Sequence, residues 1–155
     1  MRTAFATVLA VAACGGGGGG SHGGGGGGGG GEGGPAAFAW RVSQGLWGEE
    51  QLTIAEDGTA HYQFTSARRQ PSVDRTIELN AADLAPLRAA TGRPEFCQLR
   101  STRDGIPDEG MPTLEVQTAE RTCRVTLWDG EWEDMPAARP ARDAVYQIIR
   151  RIKGS

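Results

Sequence analysis

His22 and His61 are the two imidazoles in 155 residues, and neither sits at a catalytic spacing. No HExxH or CxxC occurs, and no Ser-His-Asp or Cys-His set can be assembled around either ring. His22 stands alone in a glycine run, and the alternation around His61 turns it to the wet side of a strand. Asp104, Asp108 and Glu109 share a Gly/Pro-rich stretch and could hold a hard cation, the basis for a metal-assisted enzyme. They lack the alternate-position ligands and terminal glutamate of a calcium loop, so a solvated acidic loop is the expected reading. No metal, cofactor or catalytic residue is assigned. A carboxylate pair could do acid–base work, but no feature selects one. The chain reads as a binding protein rather than an enzyme.

The residues best suited to binding are Gly45, Leu46, Trp47 and Gly48. They form a turn between two strand-like runs, a poor place to bury two large apolar side chains. Exposed aromatic residues are common anchors of protein interfaces. Trp47 therefore either anchors a partner or folds back over the sheet edge.

The N-terminus says where such binding would happen. After Met1-Arg2-Thr3, residues 4–13 are apolar or small except for Thr7. Ten helical residues span about 15 Å, half of a hydrocarbon core, which suits a signal peptide and not a membrane anchor. Val11-Ala12-Ala13-Cys14 resembles the lipobox of bacterial lipoprotein signal peptides, although thirteen residues before the cysteine is short for that class. The resemblance implies removal of residues 1–13 and lipidation of Cys14. Several acyl chains, at about 0.8 kcal/mol per buried methylene, would make a durable anchor to membrane lipid. Gly15 replaces the aspartate that marks inner-membrane retention in many Gram-negative species, so the pattern leans toward the outer membrane. An ordinary secretory signal ending near a cysteine is the alternative.

Seventeen of the 25 glycines fall within residues 15–34. Glycine loses the most backbone entropy on ordering and has no side chain to bury, so residues 14–34 are expected to form a disordered tether. As a flexible coil its ends lie roughly 25 Å apart. A phosphate cradle would need a strand before it and a helix after it, and neither is present.

With Cys14 assigned to lipid, Cys97 and Cys123 remain. An exported chain permits a disulfide between them; the alternative is two buried thiols. The formal charge of −3 offers no basic stripe for nucleic acid, and no run of eighteen apolar residues exists.

Positioning these residues falls to a single domain over residues 36–155, large enough to bury about two thirds of its unfolded surface. Its dominant signal is period two. Phe38, Trp40 and Val42 alternate with polar or small residues, as do Leu52 and Ile54, then Ala60, Tyr62 and Phe64. Ile77 with Leu79, Leu114 with Val116, and Cys123 with Val125 and Leu127 complete six runs, each apolar on one side. The phase selects a three-residue turn at 56–58, pairing Leu52 with Tyr62 and Ile54 with Ala60. It also demands an even turn between Val116 and Cys123, and four residues, 118–121, are expected for want of glycine. Asn80 or Asp83 can cap a first helix that ends at Gly92, and Pro86 favours a start near Asp83. Val145, Ile148, Ile149 and Ile152 recur at helical spacing and define a second helix. Its Arg142, Arg150, Arg151 and Lys153 read as a solvated, dipole-matched face. Trp128 and Trp132 are expected to pack against this helix. The expected architecture is α+β: an antiparallel sheet of about six strands with two helices on one face.

Ser43-Gln44-Gly45-Leu46-Trp47-Gly48 resembles the Ser-Gly-Gly-Phe-Ala-Gly turn that opens emfourin-type proteins, inhibitors of thermolysin-like metalloproteases. The order of a Leu-rich helix, Glu95 to Leu99, Pro107-Asp108-Glu109, a hairpin ending at Asp129-Gly130 and a final helix is also similar, across residues 41–152. Gln44 stands for a glycine and Trp47 for an alanine. The resemblance implies the same fold and a metalloprotease as the partner. The expectation is an exported, lipid-anchored binding module of the bacterial envelope acting on a protein partner. The inhibitor and the metal-assisted enzyme are the alternatives.

Overall fold

Alternating side chains build strands wherever one face can be buried, and the computed structural model has six. It describes residues 36–43, 45, 48–67, 71–104 and 109–155. Residues 1–34, where a signal peptide, a lipidated Cys14 and a glycine tether are expected, lie outside the described residues. The strands are β1 (Ala36–Ser43), β2 (Gly48–Ala55), β3 (Thr59–Ser66), β4 (Val73–Glu78), β5 (Thr113–Thr118) and β6 (Arg121–Thr126). They form one antiparallel sheet in the order β4-β3-β2-β1-β5-β6. The helices are α1 (Ala81–Thr91), α2 (Asp129–Asp134) and α3 (Arg139–Gly154), with a 3-10 turn at Phe96–Gln98.

Phe38, Trp40, Leu52, Ile54, Tyr62, Leu114 and Val125 point to one face and are nearly inaccessible. They share a core with Leu84 and Leu87 of α1 and with Val145, Ile148, Ile149 and Ile152 of α3. The two main helices also pack on each other, so the α+β layering expected from the alternation is observed. On the opposite face Arg41, Thr53, His61, Thr76 and Arg124 are exposed or half-buried.

The β2–β3 turn has the expected three residues: Leu52 pairs with Tyr62 and Ile54 with Ala60. Gly58 closes it at φ 98°, donating its N–H to Ala55 O at 3.1 Å. A Cβ there would overlap the Leu79 carbonyl oxygen, so both backbone angle and space require glycine.

Two local expectations change. Val116 does pair with Cys123, but the ladder continues to Thr118 and Arg121, leaving a two-residue turn at 119–120 in place of four. Keeping Arg121 in the ladder lets its side chain reach across to α1. The first helix begins at Ala81, not near Asp83, because Asn80 caps it. Asn80 Oδ1 accepts the N–H groups of Ala82 and Asp83 at 2.9 and 3.1 Å. Asp83 Oδ2 in turn accepts the Asn80 N–H at 2.9 Å. This reciprocal capping outweighs the one helical bond that Pro86 cannot donate.

Where a hairpin was expected to end at Asp129-Gly130, the chain instead forms α2. Its Trp132 is fully buried, edge-on to Trp40 at 5.1 Å, with Nε1 donating to Pro112 O at 3.0 Å. Trp128 turns the other way, toward Arg103 O at 3.3 Å.

Candidate functional site

The turn joining β1 to β2 is framed by two glycines that are required for different reasons. Gly48 has φ 118°, and a Cβ on it would overlap the Thr65 carbonyl oxygen of β3. Gly45 has φ 45° with nothing within 4 Å, so its demand is conformational alone. Leu46 and Trp47 lie outside the described residues.

Two residues past Gly48, Glu50 interrupts the apolar phase of β2 and points to the helix side, 18 % exposed. Val42 and Phe64 flank it in the ladder. Lys153 Nζ of α3 lies 3.9 Å from its Oε2 and 5.0 Å above the Tyr62 ring. Burial pushes the Glu50 carboxyl above the usual carboxylate range, against the pull of Lys153. Tyr146 of α3 stands edge-on to Trp40 at 6.0 Å, with the Arg142 guanidinium 5.0 Å from its ring centre. Burial, then the charges of Glu50 and Asp129, push the Tyr146 phenol up to about 12. Arg142 Nε lies 3.8 Å from Asp129 Oδ1, within ion-pair range but beyond a hydrogen bond. Among the described residues, Trp40 Nε1, Glu50 Oε1, Tyr62 Oη, Asp129 Oδ1 and Arg142 Nε are buried without a hydrogen-bond partner.

These charges tie the end of α3 to the end of the sheet that carries the turn. A raised carboxyl beside two phenols and the Lys153 amine could move a proton. Sequence reasoning did not assemble this group. The available signal was Glu50 itself, a carboxylate in phase with Leu52 and Ile54.

The remaining expected site residues are scattered. His61 lies on the open face as expected, 2.7 Å from Asp74 Oδ1. Hydrogen bonds from Gln63 and then His61 hold the Asp74 carboxyl below its ordinary value. In the acidic stretch, Asp104 is exposed and Asp108 lies outside the described residues. Glu109 accepts from Arg103 and, at 2.9 Å, from the Gly130 N–H. Among the described residues no group of three or more His, Cys, Asp or Glu could hold a metal, and no helix is long and apolar enough to cross a membrane.

Cys97 and Cys123 are joined by a disulfide, Cα to Cα 5.7 Å, stapling the 3-10 turn to β6. The cationic face of α3 is only partly solvated: Arg151 pairs with Asp83 of α1, and Lys153 with Glu50.

No protein-family model matches the chain, and comparison with curated proteins likewise yields no match.

Proposed function

We propose that this protein is an exported, lipid-anchored binding module of the bacterial envelope that engages a protein partner through residues 45–48. The observation that carries the reading is the glycine frame of that turn. Gly45 and Gly48 both adopt left-handed backbone angles, and Gly48 is wedged against β3. Fixing one end of a binding turn against a neighbouring strand, as Gly48 does, lowers the entropic cost of engaging a partner. β1 enters at Ala36 and delivers the chain to the turn at its far end. Seven strand rises of about 3.3 Å put about 23 Å between them. The turn thus stands away from the point at which a tether from Cys14 would join. The disulfide supports export, since such bonds persist in oxidising compartments.

The residue resemblance at 43–48 favours a metalloprotease of the thermolysin type as that partner, with the turn as inhibitory element. The stretch 104–109 lends no comparable support to a metal-assisted enzyme, because Glu109 is already held by Arg103 and Gly130.

Two measurements test the reading. Palmitate should label the wild type and not Cys14→Ala in a bacterial host; equal labelling would remove the lipid anchor. Inhibition of a thermolysin-like protease should weaken at least tenfold in Trp47→Ala. No inhibition by the wild type would leave the partner outside that class.

A further inference from the structure

At the end of the sheet where the chain enters, a cleft of about 600 Å³ opens between α1, the β2–β3 turn and the β5–β6 turn. Its floor is apolar: Ala37, Phe38 and Val116. Its rim is charged in both senses, with Glu56, Arg88 and Glu120 projecting from three different elements. All three are exposed, and their side chains make no hydrogen bond or ion pair with another described residue. Each is nevertheless well placed by its backbone. Glu56 sits in the turn closed by Gly58, Glu120 in the two-residue turn, and Arg88 in the last turn of α1. A register shift between Ala36 and Phe38 bulges β1 at the floor, a device that re-aims backbone beside sites.

Arg121 also lines the cleft and is held there. Its Nη1 donates to Thr91 O and Arg93 O, both at 2.7 Å, and its other guanidinium N–H groups make no hydrogen bond to another described residue. The C-terminal end of α1 contributes partial negative charge, which stabilises the guanidinium groups of Arg88 and Arg121 beside it.

We propose that this cleft binds a small zwitterion carrying a primary ammonium and a phosphate a few bonds apart. The ammonium faces Glu56 and Glu120, and the phosphate faces Arg88 and Arg121. A guanidinium matches phosphate geometry with paired donors. The volume falls in the range of small-molecule sites. In a bacterial envelope that chemistry occurs on ethanolamine phospholipid headgroups and on free phosphoethanolamine. The headgroup source rests on the lipid-anchored reading, because the cleft lies at the end of the domain from which a tether would run.

The test uses the full chain carrying Cys14→Ser, so that binding is read apart from lipidation. O-Phosphoethanolamine is titrated while the backbone amide resonances are followed by NMR. Saturable shifts should centre on Glu56, Arg88 and Glu120, and Arg88→Gln and Glu120→Gln should each weaken binding at least fivefold. Both positions are exposed, and an unchanged amide spectrum away from the cleft verifies the fold of each variant. Co-sedimentation with phosphatidylcholine vesicles, with and without phosphatidylethanolamine, separates the sources. Capture by the ethanolamine vesicles assigns the headgroup. Saturable phosphoethanolamine binding without vesicle capture assigns the free zwitterion. Shifts that never saturate, or that survive both substitutions, overturn the proposal. Equal palmitate labelling of the wild type and Cys14→Ala in the separate experiment would remove the envelope anchor and leave this titration interpretable.

Discussion

Arg121, on the outer strand β6, donates from one guanidinium nitrogen to Thr91 O at 2.7 Å and so caps the C-terminal end of α1. The opposite outer strand repeats the device. Arg75 of β4 donates from Nη1 to Ile152 O at 3.2 Å and to Ser155 O at 2.8 Å, at the end of α3. Both arginines lie on the helix face of an edge strand, where an inward-pointing charge also discourages another chain from adding to the sheet. Each satisfies carbonyls that a helix end leaves open and complements its dipole. Arg121→Ala should lower stability by about 2 kcal/mol in urea unfolding, the scale of charged hydrogen bonds lost near a helix terminus. Arg75→Ala, in a more exposed setting, should cost about 1 kcal/mol. Changes below about 0.5 kcal/mol in both would mean that water replaces the caps freely.

Glu131 opens a pH-dependent prediction. The residue is 5 % exposed at the start of α2. Burial works against its charge, but it is outweighed by hydrogen bonds from the Thr102 N–H, the Ser101 hydroxyl, the Trp128 N–H and the Thr102 hydroxyl. Together these hold the carboxyl at about 2. A lowered folded-state value means that the contribution is complete above the ordinary carboxylate value. It is lost as pH falls from about 4.5 toward about 2. Glu131→Gln should destabilise by about 1–3 kcal/mol at pH 7. The deficit should shrink as pH falls through that window, which thermal melts at pH 7 and pH 3 would read.

Much of the sheet was legible because period two and turn chemistry agree. The pairing of Leu52 with Tyr62 follows from phase once Gly58 is allowed a left-handed angle. Where two local rules opposed each other, the reading failed. Pro86 argued for a late helix start, yet Asn80 and Asp83 exchange bonds at the earlier one. The helix α2 was hidden because six residues carry no period, and its anchors are Trp132 in the core and Glu131 on a distant loop. The Glu50 group was hidden for another reason. Its members come from β2, β3, α2 and α3, and no local pattern announces that Lys153 will stand over Tyr62.

The glycine frame makes an asymmetric pair of predictions. Gly48→Ala forces both a strained angle and an overlap with β3 backbone, so a loss above about 2 kcal/mol is expected. Gly45→Ala meets no atoms and should cost only about 1 kcal/mol, the ordinary penalty of a left-handed angle. Chemical denaturation of the two variants checks the order. Equal losses would mean that β3 yields to the new methyl group.

The disulfide closes a loop of sequence separation 26. On the chain-entropy model it stabilises by about 3.5 kcal/mol. The double variant Cys97→Ser, Cys123→Ser should therefore unfold at markedly lower urea. Adding reductant should lower the wild-type midpoint toward it and leave the variant unmoved. A wild type insensitive to reductant, with both thiols alkylated without reductant, would show that the bond does not form in solution.

Glu50 should behave opposite to Glu131. Its folded-state value is raised by burial, so the folded protein holds this proton more tightly than the unfolded chain does. Stability from that proton is complete below the ordinary carboxylate value and is lost as pH rises through the raised one. Above it, the protein keeps a desolvated carboxylate whose Lys153 partner is 3.9 Å away and whose Oε1 has no hydrogen bond. Glu50→Gln removes the charge while keeping the shape, and so should remove this decline. Its stability relative to wild type should be greater at pH 8 than at pH 4 in thermal melts. Lys153→Met in the wild-type background should deepen the decline, because the carboxylate then loses the cation that offsets its burial. A relative stability of Glu50→Gln that falls over this range would mean that the Lys153 attraction outweighs desolvation, reversing the direction assigned to Glu50.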